Sequence, residues 1–352
     1  MPAHPTRARQ LLALLLLAVL GATSLVRTDP VGAQEPPAGA EINSFALSPT
    51  GDDPDQPSTR PALTIDAAPG ATVNDSVSLW NYGNTQLTFS IYPTDAFNNA
   101  DGAFDVLAGA EPPRDVGTWI TLPYANVTVP GGKKLDIPIS LTVPANASPG
   151  DHSGAILISS SVPGTSADGR PITLDRRTGT RVYIRVAGPL EPHLTVTKAH
   201  STYHGSLDPR KGSLSVTWVV RNVGNVRLGA EQQLEVENVL GRKVHTADAK
   251  PIVELLPGNE IRFTQSFDDV PATVRVKASI KVIPSAAGEA AGDAATTSRT
   301  AGTWALPWLL LALALVITGA VRGIRWLRSR DGASGPPSRP PVADDRDPVL
   351  VP

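Results

Sequence analysis

Hydrophobic residues return at every second position in short runs along the middle of the chain. "LDIPISLTV" places Leu135, Ile137, Ile139, Leu141 and Val143 on one face, and Asp136, Pro138, Ser140 and Thr142 on the other. "QLTFSIY" does the same with Leu87, Phe89 and Ile91, and "VRVKASIKV" with Val274, Val276, Ala278, Ile280 and Val282. Side chains on a strand point alternately to its two faces, so this pattern predicts half-buried strands. The Gly, Pro and Asn between the runs predict turns. No amphipathic helix stands out between the two ends of the chain. The predicted fold class is all-β, with two tandem immunoglobulin-like β-sandwiches.

Two stretches argue that the sandwiches share one plan. "VSLWNYGNTQLTF" (77–89) and "VTWVVRNVGNVRLGA" (216–230) both carry Asn-x-Gly-Asn-x-(Gln/Arg)-Leu. In each, a strand run ends at Asn81 or Asn222, the chain turns at Gly83-Asn84 or Gly224-Asn225, and a second run opens near Leu87 or Leu228. Glycine allows the positive φ such turns use, and Asn bonds nearby backbone. A Pro-Gly turn and another alternating strand follow each copy, in "VPGGKKLDIPI" (129–139) and "LPGNEIRFTQSF" (256–267). Hairpin punctuation alone could repeat the motif, but the shared order of strand, turn, strand, Pro-Gly and strand favours duplication. The first copy is longer, and the extra residues are assigned to "DAFNNADGAFDVLAGAEPPRDVG" (95–117). Counting back from Asn222 places Trp218 in the core with Val216 and Val220. Counting back from Asn81 places Val77 and Leu79 in the core and Trp80 on the opposite face. Trp80, with Tyr82 nearby, is then either covered by the inserted loop or free to stack on a partner.

The two ends read differently. Arg7 and Arg9 precede the apolar run "LLALLLLAVL" (11–20), and Val31 and Ala33 suit a signal-peptidase cut, so 1–33 reads as a secretory signal peptide. Near the other end, "WALPWLLLALALVITGAV" (304–321) has no charge. As a helix it would extend roughly 27 Å, close to the thickness of a bilayer's hydrocarbon core. Trp304 and Trp308 edge it on one side, and Arg322, Arg325, Arg328 and Arg330 follow on the other. That asymmetry predicts a single-pass cell-membrane protein with its C-terminus cytoplasmic and both sandwiches extracellular. The resulting plan has a leader (34–61), sandwiches at 62–188 and 189–285, and a flexible stalk at 286–303. A transmembrane helix (304–321) and a basic, then disordered tail (322–352) complete it.

Composition narrows the chemistry. A net charge of −2 gives no nucleic-acid footprint, and the absence of cysteine removes disulfides, thiolate nucleophiles and Cys-ligated metals. His200 and His204, with His193, lack the further converging ligands of a zinc site. "GDHSG" (150–154) misses the G-x-S-x-G elbow by one place, so Ser153 is not expected to be a nucleophile. The loop "DAFNNADGAFD" fails the EF-hand register, although Asn98, Asn99, Asp101 and Asp105 leave a looser oxygen-ligand site open beside a plain Asn/Asp-rich turn. No cofactor, metal or catalytic residue is assigned, and no enzyme is expected.

One family resemblance is carried by Pro69-Gly70, Asn81, Asn98-Asn99 and Asp101-Gly102, and by "VPANASPGDHSGAILIS" (143–159). These residues, and the order of signal, β-domain, second β-domain, span and short tail, resemble the bacterial WxL-interacting-protein family over 62–188. The resemblance implies a peptidoglycan-binding first domain. Its implied partners are peptidoglycan or cell-wall glycan, and secreted WxL-type or other surface proteins. The function expected on this reading is a non-enzymatic, membrane-anchored surface scaffold. The alternative is an extracytoplasmic assembly or chaperone-like factor that binds exported chains by β-augmentation. The residues expected to contact a partner or ligand are Trp80, Tyr82, Asn98, Asn99 and Asp101.

Overall fold

The computed structural model describes residues 44–331 apart from 52, 54, 55, 57, 110, 167 and 288–293. The signal peptide read at 1–33 and the tail beyond 331 lie outside the described residues. Within them the chain is all-β with one long helix near its end.

The alternating runs become two sandwiches. In the first, one sheet has the order β1 (Phe45–Pro49), β3 (Thr72–Asn81), β8 (Lys133–Thr142), β6 (Ile120–Thr121). The facing sheet runs β2 (Leu63–Ala67), β10 (Pro171–Val186), β9 (Gly150–Thr165), β4 (Leu87–Asn98), β5 (Phe104–Val106), and β7 (Asn126–Val129) also pairs with β4. In the second, β11 (Leu194–His204), β12 (Gly212–Asn222) and β15 (Glu260–Val270) face β14 (Lys243–Leu255), β13 (Leu228–Asn238), β16 (Val274–Ala286) and β17 (Thr297–Ala305). The connectivity repeats. The strand before each Asn motif pairs with the strand after the Pro-Gly turn (β3 with β8, β12 with β15). The strand after the motif pairs with the penultimate strand (β4 with β9, β13 with β16), which pairs with the last. This is an immunoglobulin-like order.

Each sandwich has its own core, built by the predicted parity. Val77, Leu79, Phe89, Ile137, Leu141 and Ile156 are fully buried in the first, and Val216, Trp218, Val220, Leu228 and Ile280 in the second. Trp218 donates its indole N–H to Gln232 Oε1 at 2.7 Å, so both polar atoms enter the core satisfied.

The repeated Asn closes the turn from inside. Asn81 Nδ2 donates to the carbonyls of Thr85 (2.8 Å) and Val129 (2.9 Å), and its Oδ1 accepts from Gly83 N (3.0 Å). Asn222 Nδ2 donates to Val226 (2.7 Å) and Leu255 (2.9 Å), and its Oδ1 accepts from Gly224 N (3.0 Å). Both side chains are buried, at 1% and 0% exposure. One amide thus ties a tight turn to the strand end opposite it, twice in one chain.

Two segments differ from the sequence expectation. The stretch read as a flexible stalk contains β17, which pairs with β16 from Val282↔Thr297 to Val274↔Ala305. Its "TSRTAGTWA" has weak strand patterning, and it is held by the open side of a core strand. The apolar helix, here α2 (Trp308–Asp331), begins at Trp308, and Arg322, Arg325 and Arg328 lie within it. Residues Trp308–Ser329 are long and apolar enough to cross a membrane (22 residues, mean hydropathy 1.7), and none of that stretch is buried.

Candidate functional site: the open edge of a long hairpin beside a locked joint

Strands β9 and β10 form a hairpin of 16 residues on each side, longer than the sandwich needs. β2 covers the outer edge of β10 only over 182–186, running parallel to it. Over 171–181 no strand among the described residues pairs with that edge. β1 comes near, with Arg176 over the Phe45 ring at 5.6 Å, but β1 is hydrogen-bonded to β3.

The ladder shows which groups point outward. At the hairpin end Ser166 N donates to Arg170 O (2.9 Å), so 166/170 is a hydrogen-bonded pair. Pairs in an antiparallel ladder alternate, which makes Pro171, Thr173, Asp175, Arg177 and Gly179 of β10 non-bonded positions toward β9. Their backbone groups therefore face the open edge. Pro163 and Pro171 both fall on such positions, where a missing N–H costs the hairpin no rung. The even positions continue the core face, since Thr180 and Val182 are buried. Farther out, Ile172 and Leu174 keep that parity beyond the sandwich and stand 38% and 44% exposed. The result is a strand edge whose donors and acceptors no strand among the described residues uses, with an apolar flank.

At the base of the hairpin the two sandwiches are joined by a dense polar cluster. Asp151 accepts from Arg185 Nε (2.6 Å) and Nη2 (2.9 Å) and from the backbone N of Arg227 (2.8 Å). Arg227 donates from Nη1 to Glu254 (2.9 Å), and its guanidinium lies 3.7 Å from the Tyr183 ring centre. The Tyr183 hydroxyl donates to Glu254 Oε2 at 3.0 Å. Burial first, then the Glu254 charge, raises the Tyr183 pKa; hydrogen bonding to Asp151 is the main cause that raises Arg185. Asn225 adds a donation to Pro149 O (2.9 Å), and its carbonyl accepts from Asp151 N (2.7 Å). Gly150, at φ 115°, faces Asn225 so closely that a Cβ would collide with the Asn225 carbonyl.

Beside this cluster His152 is held at both ring nitrogens. Nδ1 bonds the Asp115 carboxylate (2.8 Å), Nε2 bonds Ser148 O (2.9 Å), and the ring lies 4.7 Å from Trp119 in the short helix α1 (Val116–Trp119). Burial opposes a charge there, but the hydrogen bonds to Asp115 and Ser148 and the charges of Asp115 and Asp151 outweigh it. The His152 pKa is raised. Ser153, beside it, has a buried Oγ with no hydrogen-bond partner among the described residues.

The residues singled out from sequence fall in two places. Asn98 is buried at the joint: it donates to Glu254 O (2.9 Å), accepts from Leu256 N (2.8 Å), and its own N–H reaches Asn259 Oδ1 (3.2 Å). Asn99 folds the loop by accepting from the backbone N of Asp101 and Ala103, and Asp101 O lies 3.4 Å from Lys250 Nζ. Trp80 and Tyr82 stack on the far sheet, 5.8 Å apart and nearly parallel, with Lys134 Nζ over Trp80 at 5.4 Å. Tyr82 and Lys134 cover Trp80; the inserted loop lies against the other sheet. No cluster of three His, Cys, Asp or Glu suited to a metal occurs among the described residues. Sequence reading missed the edge of β10 and the set Asp151, Arg185, Arg227 and Glu254. Pro163 and Pro171 were the available signal, since proline within strand-like sequence marks an edge.

No family model matches the chain, and no curated protein matches it. Solved structures that overlay include the class 5 fimbriae chaperone CfaA, at 10% identity over 73% of this chain and 99% of that one, with a TM-score of 0.36. The CupB2 chaperone of Pseudomonas aeruginosa overlays at 11% identity over 70% and 99%, TM-score 0.28. The Salmonella enterica SafA pilin–SafB chaperone complex does so at 9% over 74% and 97%, TM-score 0.32. At such scores these likenesses carry no argument about function.

The expected membership of the WxL-interacting-protein family is corrected. No family model, that one included, matches the chain, the solved structures named above are chaperones or a chaperone complex, and peptidoglycan, wall glycan and WxL-type partners are withdrawn. The residues that carried the resemblance have local structural roles here. The Asn81 bonds recur at Asn222, and the Asn98–Gly102 turn packs against the second sandwich.

Proposed function

We propose that this chain is a non-enzymatic binding protein, held at a membrane by α2 and exposed outside the cell. It receives an extended segment of an exported protein on the open edge of β10. One observation carries the reading: over 171–181 the β10 backbone offers outward N–H and C=O groups that no strand of the described chain uses. Strand addition at such an edge draws affinity from main-chain hydrogen bonds and specificity from alternate side chains. Ile172 and Leu174 supply the apolar contacts for the incoming strand. The joint of Asp151, Arg185, Arg227 and Glu254 fixes the hairpin's base against the second sandwich, so a guest strand meets a preorganised edge.

The test uses the full chain in its own membrane with a photo-crosslinker at Leu174. Cross-linking to exported chains is then repeated in Thr173→Pro and Arg177→Pro backgrounds. Each proline removes an outward N–H and puts a ring on that rung while sparing the bonds to β9. Cross-linking is expected to fall about tenfold, which corresponds to roughly 1.4 kcal/mol. Thr173→Ala is expected to keep the wild-type yield. Cross-linking indifferent to both prolines overturns the proposal.

A further inference from the structure

The strand directions of the second sandwich sort its loops into two ends. The joint end holds 223–227 and 256–259, which meet the first sandwich. The other end holds the β11–β12 loop, the β13–β14 turn, the β15–β16 turn and the last residue of β17. Ala272 N donates to Pro209 O at 2.8 Å, Asn238 pairs with Val276, and Val274 pairs with Ala305, which ties these loops to one end. Only Leu306 and Pro307 separate β17 from α2, and Leu311 N already bonds Pro307 O at 3.1 Å. Three residue steps reach at most about 10 Å, so the sandwich's lower end cannot stand farther than that from the start of the helix.

That end is unusually apolar for a loop surface. Leu207 is 83% exposed, Leu240 75% and Val239 58%, and Val274 and Trp304 are exposed beside them. Each is a large side chain at or near a loop tip with no core to cover it. The exposed charges nearby nearly cancel: Arg210, Lys211 and Arg242 are offset by Asp208, Asp268 and Asp269, and Lys243 is paired with Glu235. Arg275, over the Trp304 ring at 6.0 Å, is left as an excess of about one positive charge. An apolar, nearly neutral surface within one short link of a membrane helix is matched by a bilayer's headgroup–acyl boundary, where Trp and exposed Leu side chains gain most.

We infer that the second sandwich docks on the membrane directly, with Leu207 and Leu240 inserted at the interface and Trp304 level with them. The sandwich is then a pedestal that sets the height and tilt of the first domain and its open strand edge. This inference rests on α2 spanning a membrane, as proposed above.

The absence of cysteine permits single-site labelling of the full chain. Variants Leu207→Cys, Leu240→Cys, Asp168→Cys and Leu313→Cys each carry an environment-sensitive fluorophore, in phosphatidylcholine vesicles with lipid-borne nitroxide quenchers. Leu313, inside the helix, reports the span itself, and Asp168 at the hairpin end reports the far domain. Labels at 207 and 240 are expected to lose most of their emission to quenchers at shallow depth, while 168 keeps its emission. Quenching at 313 alone overturns the docking and leaves the span standing. No quenching at 313 overturns both. Quenching at 207 and 240 that requires anionic lipid also overturns the inference, because it assigns contact to apolar tips and not to charge.

Discussion

Replacing Asn222 by alanine tests whether the repeated motif is a structural staple. The wild-type side chain is fully buried, donates to Val226 O and Leu255 O, and accepts from Gly224 N. Alanine severs all three bonds; Gly224 N keeps its second acceptor, His193 O at 3.1 Å, but the Val226 and Leu255 carbonyls lose their side-chain donor in an enclosed site. At about 1–1.5 kcal/mol for each of the two carbonyls left without that donor, the cost sums to roughly 2–3 kcal/mol. That is a large fraction of the ~5–15 kcal/mol that holds a typical domain. The loss belongs to the second sandwich, because the bonds close a turn within it, and Asn81→Ala should cost the first sandwich a similar amount. Pulsed hydrogen exchange on the full chain in detergent micelles, across a guanidinium series, resolves the two sandwiches by peptide. The β12 and β13 peptides of Asn222→Ala should lose protection at a midpoint lower by about 1 M, taking a typical denaturant slope for a domain of this size. Asn222→Asp should be no better, since a carboxylate keeps the bond from Gly224 and repels both carbonyls. A midpoint within about 0.2 M of wild type refutes the staple.

The remaining predictions concern the joint. Asp151→Ala leaves Arg185 and Arg227 without their shared carboxylate, a disruption of order 3 kcal/mol for a buried pair and less for the partly exposed Arg185. Exchange of the Arg227 amide, which Asp151 accepts at 2.8 Å, should speed up about tenfold or more; an unchanged rate rejects the clamp. His152 has a folded-state pKa raised above its ordinary 6.5, so its stabilising contribution is complete below 6.5 and lost as pH rises through the higher folded value. The stability advantage of wild type over His152→Gln in thermal melts should therefore shrink as pH increases from 6.5 upward. An advantage that is flat or grows with pH contradicts the assignment.

Much of this architecture was legible in the linear chain because it is local. A period of two names the inward residues whichever strand lies alongside, and Val77, Leu79, Trp218 and Ile280 are buried as that parity requires. The Asn-x-Gly-Asn turns were legible too, since their bonds to Thr85 and Val226 span four residues. An uninterrupted apolar stretch likewise announces a helix fit to span a membrane. What the chain could not announce is pairing. "TSRTAGTWA" reads as linker until β16 offers it an edge, and β10 reads as an ordinary strand until β2 stops at 182 and leaves the rest uncovered. Asn98 reads as a loop ligand until Glu254 and Leu256, more than 150 positions away, supply its hydrogen bonds. Strand pairing depends on backbone groups that every residue carries alike, and the joint joins side chains such as Asp151 and Arg185, or Arg227 and Glu254, that lie far apart along the chain, so only the folded chain decides which are used.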